Sequence, residues 1–135
     1  MKLKKSVKTL LAQAAARTQG ISAQAAQARI GDARTVFVDI RDVRELERDG
    51  MIPGAFHAPR GMIEFWVDPE SPYFKPVFGE GKTYILYCAA DWRAVLAAAT
   101  LADMGLEDVL HLEGGFSEWK KAGRPVGQRE HKHKA

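Results

Sequence analysis

Three short runs of apolar and β-branched residues predict buried β-strands. They cover residues 35–39, 84–87 and 109–112, and each is bounded by turn residues. A helical pattern over residues 93–104, which Gly105 ends, separates the second run from the third. A strand, a helix and a strand at this spacing predict two parallel strands joined by a crossover helix, and therefore an α/β domain.

Other segments have the spacing of amphipathic helices. They are residues 2–18, ending near Gly20; residues 23–30, with Ser22 as the N-cap; residues 61–67; and residues 115–122, ended by Pro125. Gly114-Gly115 lets the chain turn sharply into the last of these helices. The rest of residues 59–82 lacks a regular period and predicts a long irregular excursion over the surface, a feature that often serves function.

The length of 135 residues suits one domain with a substantial core. We expect residues 21–127 to form this domain. Residues 1–20 are expected to be a basic helical extension that either docks on the domain or faces a partner, and residues 128–135 to be a flexible tail. In the extension, lysines lie opposite one apolar stripe, which consists of Leu3, Val7, Leu10, Leu11 and Ala14.

The net charge of +3 is spread unevenly along the chain. Residues 1–18 and 127–135 together carry +7, which leaves −4 on the residues between them. A nucleic-acid-binding surface would place its basic residues on the folded domain among aromatic residues, so we expect no nucleic-acid partner. We expect no membrane partner either, because no run approaches the about 18 apolar residues of a spanning helix. The single cysteine excludes an internal disulfide and a multi-cysteine zinc site, and we expect a cytoplasmic protein.

That cysteine, Cys88, falls where a predicted strand ends, and Arg93 falls where a predicted helix begins. In an open parallel sheet, ligands bind beyond the carboxyl ends of the strands, and a helix N-terminus offers unpaired N–H groups and the positive end of a dipole. A cysteine there is favoured as the thiolate, which is the nucleophilic form. The loop alone is equally consistent with a buried cysteine that ends a core strand and with Arg93 as a surface residue.

Three separate segments resemble the signatures of rhodanese domains. The opening signature is matched by Asp39-Ile40-Arg41, Glu45 and Gly50-Met51-Ile52-Pro53-Gly54-Ala55; the active-site loop by Cys88 to Arg93; and the closing signature by Leu112-Glu113-Gly114-Gly115-Phe116-Ser117-Glu118-Trp119. The resemblance spans residues 22–126 and rests on three motifs in the right order. It implies a three-layer α/β/α fold in which helices flank a central, mostly parallel sheet.

The resemblance also implies a function. In rhodaneses a cysteine thiolate takes the outer sulfur of a donor such as thiosulfate and passes it, as a persulfide, to a thiophilic acceptor. Cys88 would be the nucleophile and sulfur carrier, and the loop that stabilises the persulfide would consist of Ala89, Ala90, Asp91, Trp92 and Arg93. Small sulfur donors and acceptors are the implied partners, with an acceptor protein as a further candidate, and no metal or organic cofactor is implied.

Five further residues are candidates for the pocket, each with two interpretations. Asp39 and Arg41 favour a structural ion pair, although Arg41 could instead be a cation of the pocket. Arg60, Phe65 and Trp66 lie in the long excursion, where they either line the substrate entrance or pack the excursion itself.

Two positions depart from the rhodanese pattern. Asp91 stands where many active relatives have glycine, and Ala94 stands where serine often follows the arginine. A carboxylate near the sulfur opposes thiolate formation and repels a dianionic donor, unless it points outward or pairs with an arginine. Asp91 therefore argues against thiosulfate as the natural donor.

Two other functions stay open. Related folds whose loop is one residue longer act as phosphatases or arsenate reductases, but Cys88 and Arg93 enclose four residues rather than five. The shorter loop suits a sulfur atom better than a tetrahedral oxyanion. A catalytically weak sulfur-binding or protein-interaction module is the second alternative, and a buried, inert Cys88 would favour it.

Overall fold

Neighbouring residues of the central strands are buried on opposite faces of the sheet. Val38 and Leu86 belong to one core cluster, while Phe37 and Ile85 belong to the other. A strand that buries side chains on both faces needs a layer of helices on each side. The computed structural model, which describes residues 1–129, accordingly shows a sheet between two layers of helices, as expected for the three-layer α/β/α fold.

Within residues 1–129 the sheet has five strands, and all of its strand pairings are parallel. The strands are β1 (Gln19–Ile21), β2 (Thr35–Asp39), β3 (Phe56–His57), β4 (Thr83–Tyr87) and β5 (Val109–Leu112). Their order across the sheet is β1-β5-β4-β2-β3. The three predicted strands are confirmed, and the crossover from β4 to β5 is parallel as predicted. β1 and β3 are too short to give a period in the sequence.

The helices are α1 (Val7–Ala15), α2 (Ala23–Gln27), α3 (Val43–Asp49), α4 (Ile63–Val67), α5 (Trp92–Met104) and α6 (Gly115–Lys121), with a 3₁₀ helix at Pro76–Gly79. Helices α4 and α5 supply buried side chains to one face of the sheet, and α2 and α6 to the other. Helix α1 packs against α5. Within residues 1–129, none of these helices has the length and apolar character needed to cross a membrane.

The first helix is shorter than the predicted span of residues 2–18. It begins at Val7 because the Ser6 side chain accepts a hydrogen bond from the Thr9 N–H and caps the helix there. It ends at Ala15, and β1 then runs beside β5, across the expected boundary between the extension and the domain.

The apolar stripe of the first helix is only partly buried. Ala14 packs against Val95 and Ala99 of α5, and Leu11 packs beside them. Leu3, Val7 and Leu10 of the predicted stripe are instead exposed. The contact of α1 with the domain is therefore limited to its last two turns, and a partner-facing role of the exposed part stays a prediction.

Helix α3 was not predicted, although its start carries a recognisable signature. The Asp42 side chain caps the helix, and the Glu45 side chain accepts a hydrogen bond from the Asp42 N–H, which completes a capping box. Two predicted helices are shorter than expected, since α2 ends at Gln27 and α4 begins at Ile63. Of the predicted tail, residues 130–135 lie outside the described residues.

Candidate active site

Cys88 lies directly beyond the carboxyl end of β4, near the middle of the sheet. Two backbone hydrogen bonds from the first turn of α6 hold this point of the chain: Phe116 N–H donates to the Cys88 carbonyl at 2.8 Å, and Ser117 N–H donates to the Ala89 carbonyl at 3.0 Å. Cys88 is 1% exposed and belongs to the same core cluster as Ile40 and Ala94. The Cys88 side chain is therefore buried in this structure.

Helix α5 begins immediately after the loop that follows Cys88. Its first backbone hydrogen bond runs from Val95 N–H to the Asp91 carbonyl at 2.9 Å. The N–H groups of residues 92–94 precede that bond and have no acceptor within the helix. These groups and the positive end of the helix dipole favour negative charge on the sulfur. The Trp92 side chain lies on the outside of the loop, 66% exposed.

Arg93 is held at the site by Glu45 of α3. The pairing is bidentate, with Nη1 to Oε2 at 2.9 Å and Nη2 to Oε1 at 3.0 Å. These hydrogen bonds raise the pKa of Arg93 against the effect of its partial burial, and the Cys88 sulfur adds a smaller contribution in the same direction. Arg93 therefore stays cationic beside the sulfur. The sequence motifs include Glu45 but do not indicate that it pairs with Arg93. Its place in the capping box of α3 is the feature of the sequence that could have drawn attention to it.

We expect Glu45→Gln to lower the free energy of unfolding by about 1 kcal/mol at pH 7, because the pair with Arg93 is only partly exposed. Glutamine keeps an oxygen for the Asp42 N–H but loses the charge that Arg93 needs. The hydrogen bond from Arg93 lowers the pKa of Glu45 in the folded state, so this stabilisation is present above the unfolded value of 4.5 and is lost as pH falls through the folded value.

Urea unfolding of wild type and Glu45→Gln at pH 7, 4 and 3 measures this effect. The difference in free energy of unfolding should be largest at pH 7 and should shrink below pH 4.5. The exposed Glu70 supplies the control Glu70→Gln, for which we expect little difference at any of these pH values. A Glu45→Gln effect of constant size across the series would contradict the proposed charge pairing.

Asp91 has an unusual backbone conformation. Its φ of 72° and ψ of −10° lie in the left-handed region, and no other non-glycine residue among residues 1–129 has a positive φ. Glycine adopts this conformation without strain, whereas an aspartate adopts it at an energetic cost.

The Asp91 carboxylate pairs with a histidine, not with an arginine. The His111 Nδ1 of β5 lies 2.9 and 3.0 Å from the two carboxylate oxygens. Since a carboxylate can only accept, Nδ1 carries the proton in this hydrogen bond. The two arrangements expected for this carboxylate, that it points outward or that it pairs with an arginine, are therefore both wrong. A histidine in an otherwise apolar strand was the signal that could have indicated this pair.

Asp39 and Arg41 form a fully buried ion pair at the end of β2. Arg41 Nε donates to Oδ1 at 3.0 Å and Nη2 donates to Oδ2 at 2.7 Å, and Nη2 also donates to the Gly50 carbonyl at 2.7 Å. The guanidinium lies over the Phe116 ring, 4.3 Å from its centroid. Burial raises the pKa of the neighbouring Tyr87 well above its usual value, and Asp39 adds to the shift. This geometry favours the structural interpretation of the pair.

The three candidates in the excursion differ in their surroundings. Arg60 N–H donates to the Ile40 carbonyl at 3.0 Å, directly after β2, and its guanidinium pairs with Glu64 at 2.8 Å. Trp66 packs edge-on against Phe56, so the packing interpretation accounts for it. Phe65 is exposed.

A cavity of about 370 Å³ lies beside Ala89, the first loop residue after Cys88. Its lining consists of Ala89, Arg41, Asp49, Phe116, Ser117, Lys120 and Lys121. Arg41 is paired with Asp39 and Asp49 is paired with Arg48, whereas Lys120 and Lys121 bring positive charge from the last turn of α6. The cavity therefore suits a small anion.

The family of the chain follows from comparison with known proteins. The family model described as rhodanese-like domain matches residues 22–122, which include Cys88, Arg93 and Glu45. The chain therefore belongs to the rhodanese-like domain family, as the three sequence motifs indicated.

Among the relatives that match in sequence are a sulfurtransferase and an uncharacterized protein. The chain is 30% identical over 107 residues to a sulfurtransferase from Allochromatium vinosum, covering 78% of this chain and 92% of that protein. It is 34% identical over 91 residues to an uncharacterized protein from Synechocystis, covering 67% of this chain but only 46% of that protein's length. The chain thus spans about half of the second relative.

Among the solved structures with a similar fold, two show the following similarity to this chain. A protein of unknown function from Rhodopseudomonas palustris, described as a possible tyrosine phosphatase, has a TM-score of 0.90 and 47% identity, with 93% of this chain and 97% of that chain covered. The polysulfide-sulfur transferase homodimer from Wolinella succinogenes has a TM-score of 0.69 and 25% identity, covering 94% of this chain and 90% of that chain.

Proposed function

We propose that this protein is a sulfurtransferase that carries sulfane sulfur as a persulfide on Cys88. The observation that carries the proposal is the position of the only cysteine, which lies between the end of β4 and the N-terminus of α5, beside the cationic Arg93. The related sulfurtransferase from Allochromatium vinosum supports the reaction class.

The proposed reaction has two displacements at sulfur. The Cys88 thiolate attacks the outer sulfur of a donor such as thiosulfate; a new S–S bond forms, the donor's S–S bond breaks, and sulfite leaves with the electron pair. A thiophilic acceptor, cyanide or a thiolate, then attacks the outer sulfur of the persulfide and releases the Cys88 thiolate. The N–H groups at the start of α5 and the guanidinium of Arg93 stabilise the negative sulfur in both steps.

An anionic sulfane-sulfur compound is the donor class that the site favours. Lys120 and Lys121 border the cavity beside Ala89, and the Asp91 carboxylate is occupied by His111. Thiosulfate and polysulfide both belong to this class, and a similar structure from Wolinella succinogenes is a polysulfide-sulfur transferase. The acceptor stays open between a small thiophile and a protein, and a cytoplasmic location stays a prediction.

One observation favours the second candidate, a sulfur-binding or protein-interaction module. Cys88 is 1% exposed, so a donor reaches the sulfur only if the loop moves. A thiol that stays buried and inert would bind no donor. The loop is held through Glu45 and the first turn of α6, and the reactivity of Cys88 in solution decides between the two candidates.

The test is intact-mass measurement of the reduced protein after exposure to thiosulfate and, separately, to polysulfide. We expect a gain of one sulfur, about 32 Da, that cyanide removes as thiocyanate, because the persulfide is the carrier state. Cys88→Ser is the matched control and should gain no mass. A reactive but unloaded Cys88 with both donors would refute the sulfurtransferase, and an unreactive Cys88 would favour the module.

A phosphate-ester arm addresses the phosphatase description of the similar structure from Rhodopseudomonas palustris. The four residues between Cys88 and Arg93 leave a shorter loop than the phosphatases have, so we expect no Cys88-dependent release of phosphate from p-nitrophenyl phosphate. Turnover that disappears in Cys88→Ser would instead assign the phosphatase reaction.

A further inference from the structure

The pair of Asp91 and His111 joins the active-site loop to the neighbouring strand. His111 is the one polar side chain of β5 and is almost fully buried, while Asp91 immediately precedes α5 in a left-handed conformation. A buried polar group needs a partner, and each of these side chains provides it for the other. The side chain of Asp91 makes no cap bond to α5, so the helix does not account for its position.

Asp91 poses a problem for a site that stabilises negative sulfur. A carboxylate three residues from Cys88 opposes both the thiolate and an approaching anion if it faces them. Arg93 does not solve this problem, because it pairs with Glu45 and the Asp91 carboxylate pairs with His111 instead. The Nδ1–H of His111 holds the carboxylate beside β5, on the next strand from Cys88.

We propose that His111 is a positioning residue of the active site: its hydrogen bond holds the Asp91 carboxylate away from the Cys88 sulfur, so that the loop accepts an anionic donor. This role concerns the same site as the proposed function, and its importance for sulfur transfer rests on that function. It also accounts for an aspartate at a position whose backbone favours glycine, since the strained residue is anchored from β5.

The proposal predicts a specific dependence between the two residues. In His111→Leu the carboxylate loses its donor and becomes free to face the loop interior, whereas His111→Asn keeps an N–H donor at the position of Nδ1. Asp91→Gly removes the carboxylate and suits the φ of 72°. The double variant Asp91→Gly/His111→Leu should therefore recover what His111→Leu loses.

Alkylation of Cys88 by iodoacetate, an anion, and by iodoacetamide, a neutral reagent, measures the charge near the sulfur without requiring sulfur transfer. We expect the rate constant for iodoacetate divided by that for iodoacetamide to fall about fivefold in His111→Leu, because a nearby carboxylate repels the anionic reagent. The ratio should stay within about twofold of wild type in His111→Asn, Asp91→Gly and the double variant. A loop that is merely disordered would change both rates together and leave the ratio unmoved.

Sulfur loading of the same variants from thiosulfate should follow the same order as the ratio. An unchanged ratio in His111→Leu, or a double variant that stays as impaired as His111→Leu, would overturn the proposal. His111→Ala, which also lacks a donor, replaces the leucine variant if that variant does not fold. If the ratio behaves as expected but the wild type takes up no sulfur, the sulfurtransferase is refuted and the positioning role of His111 stands.

Discussion

Replacement of Gly115 by alanine is expected to lower sulfur loading of Cys88 by about 100-fold and the free energy of unfolding by about 3 kcal/mol. A Cβ at this position would lie 2.7 Å from the Ala89 carbonyl carbon and 2.8 Å from the Cys88 carbonyl oxygen. These are backbone atoms of the active-site loop, so they move only if the loop moves. The φ of 64° adds strain of about 1 kcal/mol for any residue with a Cβ.

The loss of loading follows from the way α6 holds the loop. The hydrogen bonds from Phe116 N–H and Ser117 N–H to the loop carbonyls require the first turn of α6 to approach the chain at Cys88 and Ala89 closely. A methyl group at residue 115 pushes that turn away, which displaces the sulfur relative to Arg93 and the start of α5. Displacements of this size, about 1 Å, are costly in an active site.

Gly123→Ala is the matched control for Gly115→Ala. Gly123 has a φ of 74°, but its Cβ would meet no atom within 4 Å. It should therefore show the conformational strain alone, about 1 kcal/mol, with sulfur loading close to wild type. Denaturant unfolding and the rate of mass gain from thiosulfate measure both effects. Equal losses of loading in the two variants would contradict the role of close approach at Gly115.

Much of the fold can be predicted from the sequence, because local residue patterns indicate the main strands and helices. The apolar runs that become β2, β4 and β5 lie between turn residues, so their positions follow from the chain itself. Cys88 at the end of β4 and Arg93 in the first turn of α5 follow for the same reason. The short strands β1 and β3 do not, since they exist only by pairing with β5 and β2.

The partners within the site were beyond local patterns. Arg93 pairs with Glu45, which lies in a distant part of the sequence, and Asp91 pairs with His111 across the β4–β5 pairing. Both pairs depend on the three-dimensional placement of α3 and β5. Gly115 was interpreted as a turn residue, and only the packing of α6 on the loop shows that it also makes room for the backbone at Cys88.

Arg41→Met is expected to lower the free energy of unfolding by about 3–5 kcal/mol, because it leaves the buried carboxylate of Asp39 without its cation. Methionine has a similar shape and keeps contact with the Phe116 ring, so lost packing contributes little. The Gly50 carbonyl also loses a donor. Arg44→Met is the control, since Arg44 and Asp42 form an exposed pair whose loss should change the free energy of unfolding little.

The double variant Asp39→Asn/Arg41→Met should recover part of the lost stability, because it removes the unpaired charge that dominates the single variant. Urea unfolding of both variants measures this recovery. Sulfur loading separates the two interpretations of Arg41: in the folded fraction of Arg41→Met, a structural residue leaves the concentration dependence on thiosulfate unchanged, whereas a pocket cation raises the KM. We expect an unchanged KM, because the guanidinium of Arg41 is already committed to Asp39 and to the Gly50 carbonyl. A raised KM with unimpaired stability would show that Arg41 binds the donor.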